Sequence, residues 1–267
     1  MKTIRELMDL GGRVALITGG AGHIGLAMGE VLAELGAKIV VLDLEEGACR
    51  RTSEVISSRF RVESMALAID LSDENAIRRT PAAVIGRYGR LDILVHSAAL
   101  VNTSSVRGWT VPFPQQSSEA WALALRINLT APFLLTQVFA DALKVSGHGS
   151  VINIGSIYGI VAPNWSLYEG TPMGNPAAYG ASKGGLLQLT RYLATAMAPS
   201  VRVNMITPGG VFREQPQVFV DRYEASVPLG RMATEEDLKG AVAYLASDLS
   251  AYVTGQNLVV DGGWTVW

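Results

Sequence analysis

The feature that most constrains this chain is an alternation of two hydrophobic patterns along its whole length. Short apolar runs, typical of strands buried on both faces, are followed by segments with the apolar spacing of a helix. This order predicts an α/β fold, in which a parallel sheet is covered by helices on both faces. The predicted strands are 13–18, 38–42, 62–69, 91–96, 151–155, 201–206 and 257–260, and the main predicted helices are 23–35, 45–60, 72–88 with a cap at Ser72, 118–146 with a bend near Pro132, 177–198 and 234–246.

Length and composition limit the classes of function. The 267 residues suffice for one large domain, which we expect to span 1–267. A formal net charge of -2 gives no basic surface for nucleic acid, and no apolar run is long enough to cross a membrane. One cysteine, Cys49, excludes an internal disulfide, and the histidines lack the spacing of metal ligands. We expect a soluble cytoplasmic protein with no metal site.

A glycine-rich loop lies between the first predicted strand and the first predicted helix. Residues 18–25 read TGGAGHIG and contain Gly19, Gly22, His23 and Ile24. Glycines let the backbone turn tightly and approach a pyrophosphate, whose charge then lies at the helix N-terminus. The strand–loop–helix context therefore predicts a dinucleotide site at these four residues.

Acidic residues end the second and third predicted strands. Asp43 ends the second strand, where an acid can bind the ribose hydroxyls of a dinucleotide. Its carboxylate repels a 2′-phosphate, and neither Leu44 nor Glu45 offers a cation, so we expect NAD rather than NADP. The alternative is a solvent-facing aspartate. Asp70 and Leu71 are placed to contact the adenine, although an acid that begins a helix explains Asp70 equally well.

Tyr179 and Lys183 are four residues apart, which on a helix places both on one face. A lysine cation beside a phenol favours the phenolate and lowers its pKa, so this pair predicts proton transfer near neutral pH. Ser156, at the end of the fifth strand, is predicted to donate a hydrogen bond to a substrate carbonyl. The alternatives are a buried tyrosine beside a lysine that reaches solvent, and a serine that caps a helix.

Two further segments are assigned less directly. Asn128 is a poor helix former inside a predicted helix. It is predicted to hold an ordered water between Lys183 and solvent, or to be a buried amide bonded to backbone. Pro208, Gly209 and Val211 follow the sixth strand and are predicted to contact the nicotinamide, unless they form only a turn.

Taken together, these motifs resemble the short-chain dehydrogenase/reductase family over nearly the whole chain. The resemblance implies a single Rossmann domain with a seven-stranded parallel sheet and an NAD(P)-dependent alcohol/ketone oxidoreductase, tetrameric or dimeric. It also implies cofactor contacts at Ser97 and Ala98. The catalytic roles that it implies are Tyr179 as general acid/base, Lys183 as the residue that lowers the pKa of Tyr179 and holds the nicotinamide ribose, Ser156 as the carbonyl-orienting residue, and Asn128 as the end of the proton relay.

The chain departs from the family pattern at three places. His23 stands where the compact branch has a glycine, so the loop spacing is similar to that of the longer, sugar-nucleotide-modifying branch. The usual Asn-Asn-Ala-Gly after the fourth strand is His96-Ser-Ala-Ala, and Phe212-Arg213 replaces a usual threonine. The glycine spacing leaves open a rival function, a sugar-nucleotide epimerase or dehydratase with tightly held NAD. A second rival is a non-catalytic dinucleotide sensor, although such proteins commonly lose a catalytic residue and this chain has all four.

Three long loops, 101–118, 157–178 and 212–230, are predicted to lie over the substrate side. They carry flat aromatic faces and polar groups, which suggest a polyhydroxylated, sugar-like substrate. The alternative is that they pack on a neighbouring subunit. A faint further resemblance is to members that act in bacterial surface-sugar or flagellin-glycan synthesis. The residues predicted to face the substrate are Trp109, Trp165, Tyr168, Glu169, Arg107 and Arg213.

Overall fold

The structure is a computed structural model that describes residues 1–101 and 104–267. Within these ranges, seven parallel strands form one sheet in the order β3-β2-β1-β4-β5-β6-β7, which confirms the predicted α/β Rossmann architecture. The strands are β1 (Val14–Thr18), β2 (Lys38–Asp43), β3 (Ser64–Ala68), β4 (Ile93–His96), β5 (Gly149–Ile154), β6 (Val201–Pro208) and β7 (Asn257–Val260).

Strand register aligns the carboxyl ends of the central strands. Thr18 of β1 pairs with Leu42 of β2 and with His96 of β4, and His96 pairs with Asn153 of β5. The loops that follow these strands therefore leave the sheet at one edge, where ligands bind in open α/β sheets.

Helices cover both faces of the sheet. Alternate residues of β1 point to opposite sides, so that Ile17 packs with Met28 and Leu32 on one face. Leu16 packs on the other face. The helices are α1 (Ile4–Met8), α2 (His23–Glu34), α3 (Glu46–Phe60), α4 (Glu74–Tyr88), α5 (Ser118–Leu125), α6 (Ala131–Val138), α7 (Ala140–Val145), α8 (Ala177–Ala196), α9 (Gln217–Ala225) and α10 (Glu236–Ala246). In the described ranges, none of them is long and apolar enough to cross a membrane.

The long helix predicted at 118–146 is divided into three. A wide π turn, Arg126–Thr130, separates α5 from α6, and Phe139 leaves helical geometry (φ -101°, ψ 4°) before α7. Pro132 lies in the first turn of α6, where the missing backbone donor costs little. The first change in helical geometry therefore lies before the proline, because the π turn ends at Thr130.

Two other local predictions were wrong. The segment 212–230 is not a plain loop, because it contains α9. The cap of α4 is Asp73 rather than Ser72, since the Asp73 side chain accepts a hydrogen bond from the N–H of Asn75.

A third hydrophobic cluster lies over the carboxyl edge of the sheet. It joins residues of segment 157–178, α9 and the C-terminal Trp264. Four ring contacts connect them in a row, and the last is Tyr223 stacked on Trp264 with centroids 4.5 Å apart. Two of the predicted substrate loops thus form one packed unit above the site.

Candidate functional site

The glycine-rich loop is held against the loop that follows β4. The Thr18 hydroxyl oxygen accepts hydrogen bonds from the N–H groups of Ser97 and Ala98, both at 3.1 Å. Gly19 has φ +63°, and a Cβ there would lie 2.8 Å from the Ala98 Cα. At Gly25 a Cβ would lie only 2.0 Å from the Gly19 carbonyl oxygen. Glycine at both positions lets the first turn of α2 pack directly on the loop.

The start of α2 suits an anion. Gly22 is its N-cap, and among the described residues no side chain caps the free N–H groups of the first turn. Such an end binds phosphate through its N–H groups and the helix dipole. The His23 side chain is 70% exposed, and its Nδ1 lies 3.9 Å from the Glu235 carboxylate. A dinucleotide diphosphate therefore fits this end of the helix.

Asp43 links the end of β2 to the glycine loop. Its carboxylate accepts hydrogen bonds from the N–H of Ala21 at 3.0 Å and of Leu44 at 2.8 Å. The Leu44 side chain is exposed. Asp70 is exposed after β3, and its carboxylate accepts from the N–H of Ser72 at 2.8 Å, the local turn expected of an acid that begins a helix. Leu71 packs against the core.

A cavity of about 240 Å³ opens at the carboxyl edge of the sheet. It brings together one residue of the glycine loop, three of the loop after β4, the Tyr179–Lys183 pair and the turn after β6. Its lining includes the predicted residues Ile24, Ser97, Ser156, Tyr179, Lys183, Pro208, Gly209 and Val211. The remaining predicted cofactor residues, which are Gly19, Gly22, His23, Asp43, Leu44, Asp70, Leu71 and Ala98, lie outside this lining.

The electrostatics of Tyr179 differ from the prediction. Burial raises the pKa of Tyr179, a hydrogen bond with Ser156 opposes the shift, and Tyr168 adds to it. The Lys183 ammonium donates to the Ile154 carbonyl at 2.8 Å and lies 5.9 Å from the centre of the Tyr179 ring. The predicted lowering of the tyrosine pKa by Lys183 is thus wrong for this structure, because desolvation of the phenolate dominates.

Lys183 is itself deeply buried, at 3% exposure. Burial lowers the pKa of Lys183 to about 8, because an ammonium loses its hydration there. A protonated phenol and a cation coexist at neutral pH, which suits proton donation by Tyr179 to an oxygen that becomes negative.

The side-chain amide of Asn128 has hydrogen-bond partners for both its oxygen and its nitrogen. Its amide accepts from the Leu100 N–H at 2.7 Å and donates to the Leu100 carbonyl at 3.2 Å and to the Ser182 hydroxyl at 3.1 Å. The Ser182 hydroxyl donates to the Tyr179 carbonyl at 2.8 Å. The side chain therefore matches the alternative interpretation of a buried, satisfied amide. It joins the loop after β4 to the helix that carries Tyr179.

The substrate loops place their predicted side chains differently. Trp109 is 1% exposed and its Nε1 donates to the Val101 carbonyl at 2.7 Å, so it is a core residue and not a substrate platform. Trp165 is 58% exposed and contacts Tyr168, which lines the cavity. Arg107 and Glu169 are exposed outside the cavity lining. In loop 101–118, Asn102 and Thr103 lie outside the described residues.

Arg213 lies at the edge of the cavity. It contributes to the lining, and its Nε lies 3.1 Å from the Glu235 carboxylate. Of the three predicted polar groups on the loops, it alone is part of the described cavity lining.

Tyr223 lines the cavity although no sequence motif predicts it as a site residue. Its hydroxyl accepts a hydrogen bond from the Gly210 N–H, and burial raises the pKa of Tyr223 to about 12. A Cβ at Gly210 would lie 2.7 Å from this ring. The consecutive glycines at 209 and 210 were the available signal, since they indicate a close approach to the turn after β6.

His96, which departs from the family pattern at the end of β4, is buried. Its Nε2 lies 3.0 Å from the Thr136 hydroxyl, while Nδ1 has no hydrogen-bond partner among residues 1–101 and 104–267. Burial, with the nearby Lys183 cation, lowers the pKa of His96 to about 3. In the described part of the chain, His96 included, no group of three His, Cys, Asp or Glu side chains could hold a metal ion.

Comparison with known proteins extends over the full length of the chain. A family model described as enoyl-(acyl carrier protein) reductase matches residues 19–265. A trans-4-hydroxycyclohexanecarboxylate dehydrogenase of Sinomonas cyclohexanicum is 34% identical over 259 residues, which are 95% of this chain and 93% of the relative. The post-translational flagellin modification protein A of Campylobacter coli is 27% identical over 254 residues, 94% of this chain and 98% of the relative, which gives weak support to the faint likeness inferred from sequence.

Solved structures match the fold equally well. A gluconate 5-dehydrogenase of Burkholderia cenocepacia J2315, in complex with NADP and tartrate, has a TM-score of 0.88 at 29% identity and covers 99% of this chain and 100% of its own. A xylitol dehydrogenase bound to NAD+ has a TM-score of 0.84 at 29% identity, covering 95% and 99%. These neighbours hold either nucleotide. The chain belongs to the short-chain dehydrogenase/reductase family and is an NAD(P)-dependent oxidoreductase that acts on CH–OH groups.

Proposed function

We propose that the protein interconverts a secondary alcohol and a ketone with NAD(H), on a polyhydroxylated, sugar-like substrate. The observation that carries this proposal is that Ser156, Tyr179 and Lys183 line the same cavity, with Ser156 close enough to Tyr179 to oppose the rise in its pKa. A substrate oxygen between two hydroxyls is polarised by both, and the buried cation stabilises negative charge near it.

The reaction divides between protein and cofactor. Oxidation removes a hydride from the carbinol carbon and a proton from its hydroxyl, and reduction adds both. Bound NAD supplies the hydride chemistry. Tyr179 gives the proton in reduction and takes it in oxidation, while Ser156 orients the oxygen. Asn128 acts through Ser182 and Leu100 as a positioning residue for the Tyr179 helix.

The chain's own residues suit a dinucleotide. The uncapped start of α2 receives the diphosphate, Asp43 binds the adenosine ribose, and the turn at Pro208–Val211 contacts the nicotinamide. We assign Ser97, Ala98, Asp70 and Leu71 to the adenosine side.

Preference for NAD over NADP is tested by Asp43→Asn. The amide keeps an acceptor for the Ala21 N–H but removes the charge that repels a 2′-phosphate. The ratio of dissociation constants for NADP+ and NAD+ should fall by about tenfold, equivalent to about 1.4 kcal/mol. Glu54→Gln, which removes an exposed charge from α3, is the matched control. An unchanged ratio in Asp43→Asn would contradict the assignment.

The protein is proposed to assemble as a homotetramer or homodimer in the cytoplasm. Large apolar side chains stay exposed on α5, α6 and α8, with Trp121 at 42%, Phe133 at 38% and Tyr192 at 62%. Exposed apolar area of this kind is favourable to bury against a second copy. Sedimentation velocity of the purified protein tests the assembly.

Turnover is tested by NADH absorbance with a panel of acyclic and cyclic alcohols, polyols and hydroxy acids, each with NAD+ and NADP+. We expect reduced cofactor to form with at least one polyhydroxylated member. The loop spacing of Gly19, Gly22 and Gly25 favours a second candidate, an epimerase or dehydratase that recycles bound NAD. That candidate predicts altered sugar nucleotides in the presence of the protein with no net NADH, and such a result would overturn the leading proposal.

A further inference from the structure

Three polar side chains of segment 157–178 meet at one corner of the cavity. Tyr158, Tyr168 and Asn175 all line it, and the two phenol oxygens lie 2.7 Å apart. The Asn175 amide lies close enough to both phenols to oppose the rise in their pKa values. Tyr168 also lies close enough to Tyr179 to raise the pKa of that proton donor. The corner therefore shares one cavity with Ser156 and Tyr179.

The corner is built on a fixed support. Tyr168 is 8% exposed, and its ring packs against Trp165 and Phe219 with centroids 5.9 Å and 5.5 Å apart. The Arg222 guanidinium donates to the carbonyls of Ser166 at 3.1 Å and Glu169 at 2.6 Å, so α9 fastens the segment on both sides of Tyr168. Side chains held by packing keep a binding geometry before the ligand arrives.

The three side chains of the corner carry no charge at neutral pH. Burial raises the pKa of both phenols, so each keeps its proton at neutral pH. One phenol donates to the other, and the second phenol proton and the Asn175 amide offer a donor and an acceptor to a third group. Within the described residues, the cavity lining contains no Asp or Glu, and its cations are Lys183 and Arg213 rather than members of this corner.

A hydroxyl fits these neutral groups better than an ion does. A carboxylate or an ammonium would have no charged partner among the three, and contact with them would cost it part of its hydration. A hydroxyl both donates and accepts, as the amide and the phenol require. The neighbouring walls at Ile157, Met173 and Phe219 are apolar and suit the carbon skeleton of a compact ring.

We propose that Tyr158, Tyr168 and Asn175 form a subsite for a second hydroxyl of the substrate, so that the enzyme selects cyclic diols and polyols over the matching mono-alcohols. This inference rests on the proposed function, because it assumes that the reacting hydroxyl lies at Ser156 and Tyr179. The subsite adds to the proposed function the three residues that select the substrate and the class of substrate that they select.

The test compares cyclohexanol with cyclohexane-1,2-, 1,3- and 1,4-diol on wild type, Tyr158→Phe and Tyr168→Phe. One measurement is kcat/KM with saturating cofactor, and the other is the dissociation constant from the NADH complex by calorimetry. Because one retained hydrogen bond contributes about tenfold at most, wild type should prefer its best diol by about tenfold in both measurements. The preference should fall towards unity in both Phe variants, and Tyr252→Phe, whose side chain is fully exposed, should keep it.

The outcomes separate the two proposals. A diol preference that survives in both Phe variants, or no diol preference in wild type by either measurement, overturns the subsite. Diol binding that depends on Tyr168 without formation or consumption of NADH leaves the subsite in place and contradicts the proposed function. Thermal melting of each variant with NADH shows that the fold and cofactor site are intact.

Discussion

Lowering the pH from 7 to 5 should destabilise the folded protein in a way that depends on His96. The imidazole is 2% exposed, and burial beside the Lys183 cation lowers the pKa of His96 to about 3 from the ordinary value of 6.5. At pH 7 the ring is largely neutral in both the folded and the unfolded chain. Below pH 6.5 the unfolded chain binds a proton that the folded chain does not. The free energy of unfolding therefore falls as the pH drops through 6.5 and goes on falling towards 3.

The magnitude follows from proton linkage between the two states. With those two pKa values, the His96 contribution to the free energy of unfolding should decrease by about 2 kcal/mol between pH 7 and pH 5. His96→Asn removes the titrating group and keeps a polar side chain near the Thr136 hydroxyl. The variant should therefore lose about 2 kcal/mol less than wild type over this interval, whatever its stability at pH 7.

The assay is urea denaturation of both proteins at pH 7 and pH 5, at one protein concentration. His23→Asn is the matched control, because it removes a histidine side chain that is 70% exposed and should change the pH dependence far less. Equal losses of stability in wild type and His96→Asn would refute the reasoning, since they would mean that His96 is protonated in the fold or accessible to water.

Two further substitutions test how the cofactor site is positioned. Tyr223→Phe removes the acceptor of the part-buried Gly210 N–H, which should cost about 0.5–1.5 kcal/mol of stability and raise the KM for NAD+; an unchanged melting temperature and KM would contradict the role of this hydroxyl. Gly25→Ala places a methyl group 2.0 Å from the Gly19 carbonyl oxygen, so it should destabilise the fold by about 1–3 kcal/mol and weaken NAD+ binding in calorimetry. Gly86→Ala on α4, where a Cβ meets nothing within 4 Å, should be neutral or stabilising; equal effects of the two alanines would contradict the close packing.

The positions of the strands were predictable because burial of a strand is visible in its own residues. A strand buried on both faces must be apolar throughout, so the ends of the runs mark the sheet edge, and Thr18 and Asp43 fall there as expected. The π turn around Asn128 was not predictable, because an apolar pattern at helical spacing continues through it. Its cause is tertiary, since the amide bonds to the Leu100 backbone and to Ser182.

Side-chain environments were harder to predict than backbone positions. The sequence around a tryptophan in a long loop does not indicate whether its side chain faces a ligand or the core. Trp109 can be buried because its indole N–H donates a hydrogen bond to the Val101 carbonyl. The Tyr179–Lys183 spacing placed both groups at the cavity. The spacing alone did not show that burial raises the pKa of Tyr179, or that the Ile154 carbonyl accepts a hydrogen bond from the Lys183 ammonium.

The most direct test of the account is Tyr179→Phe, measured as kcat with the best substrate together with the dissociation constant of NAD+ by calorimetry. General acid–base catalysis contributes about 10²–10⁴-fold, so kcat should fall by at least about a hundredfold. NAD+ affinity should stay within a few-fold, because the ring, Lys183 and the glycine loop are kept. A variant that retains wild-type turnover, or one that loses turnover only because NAD+ no longer binds, would contradict the assignment of Tyr179 as the proton donor and acceptor.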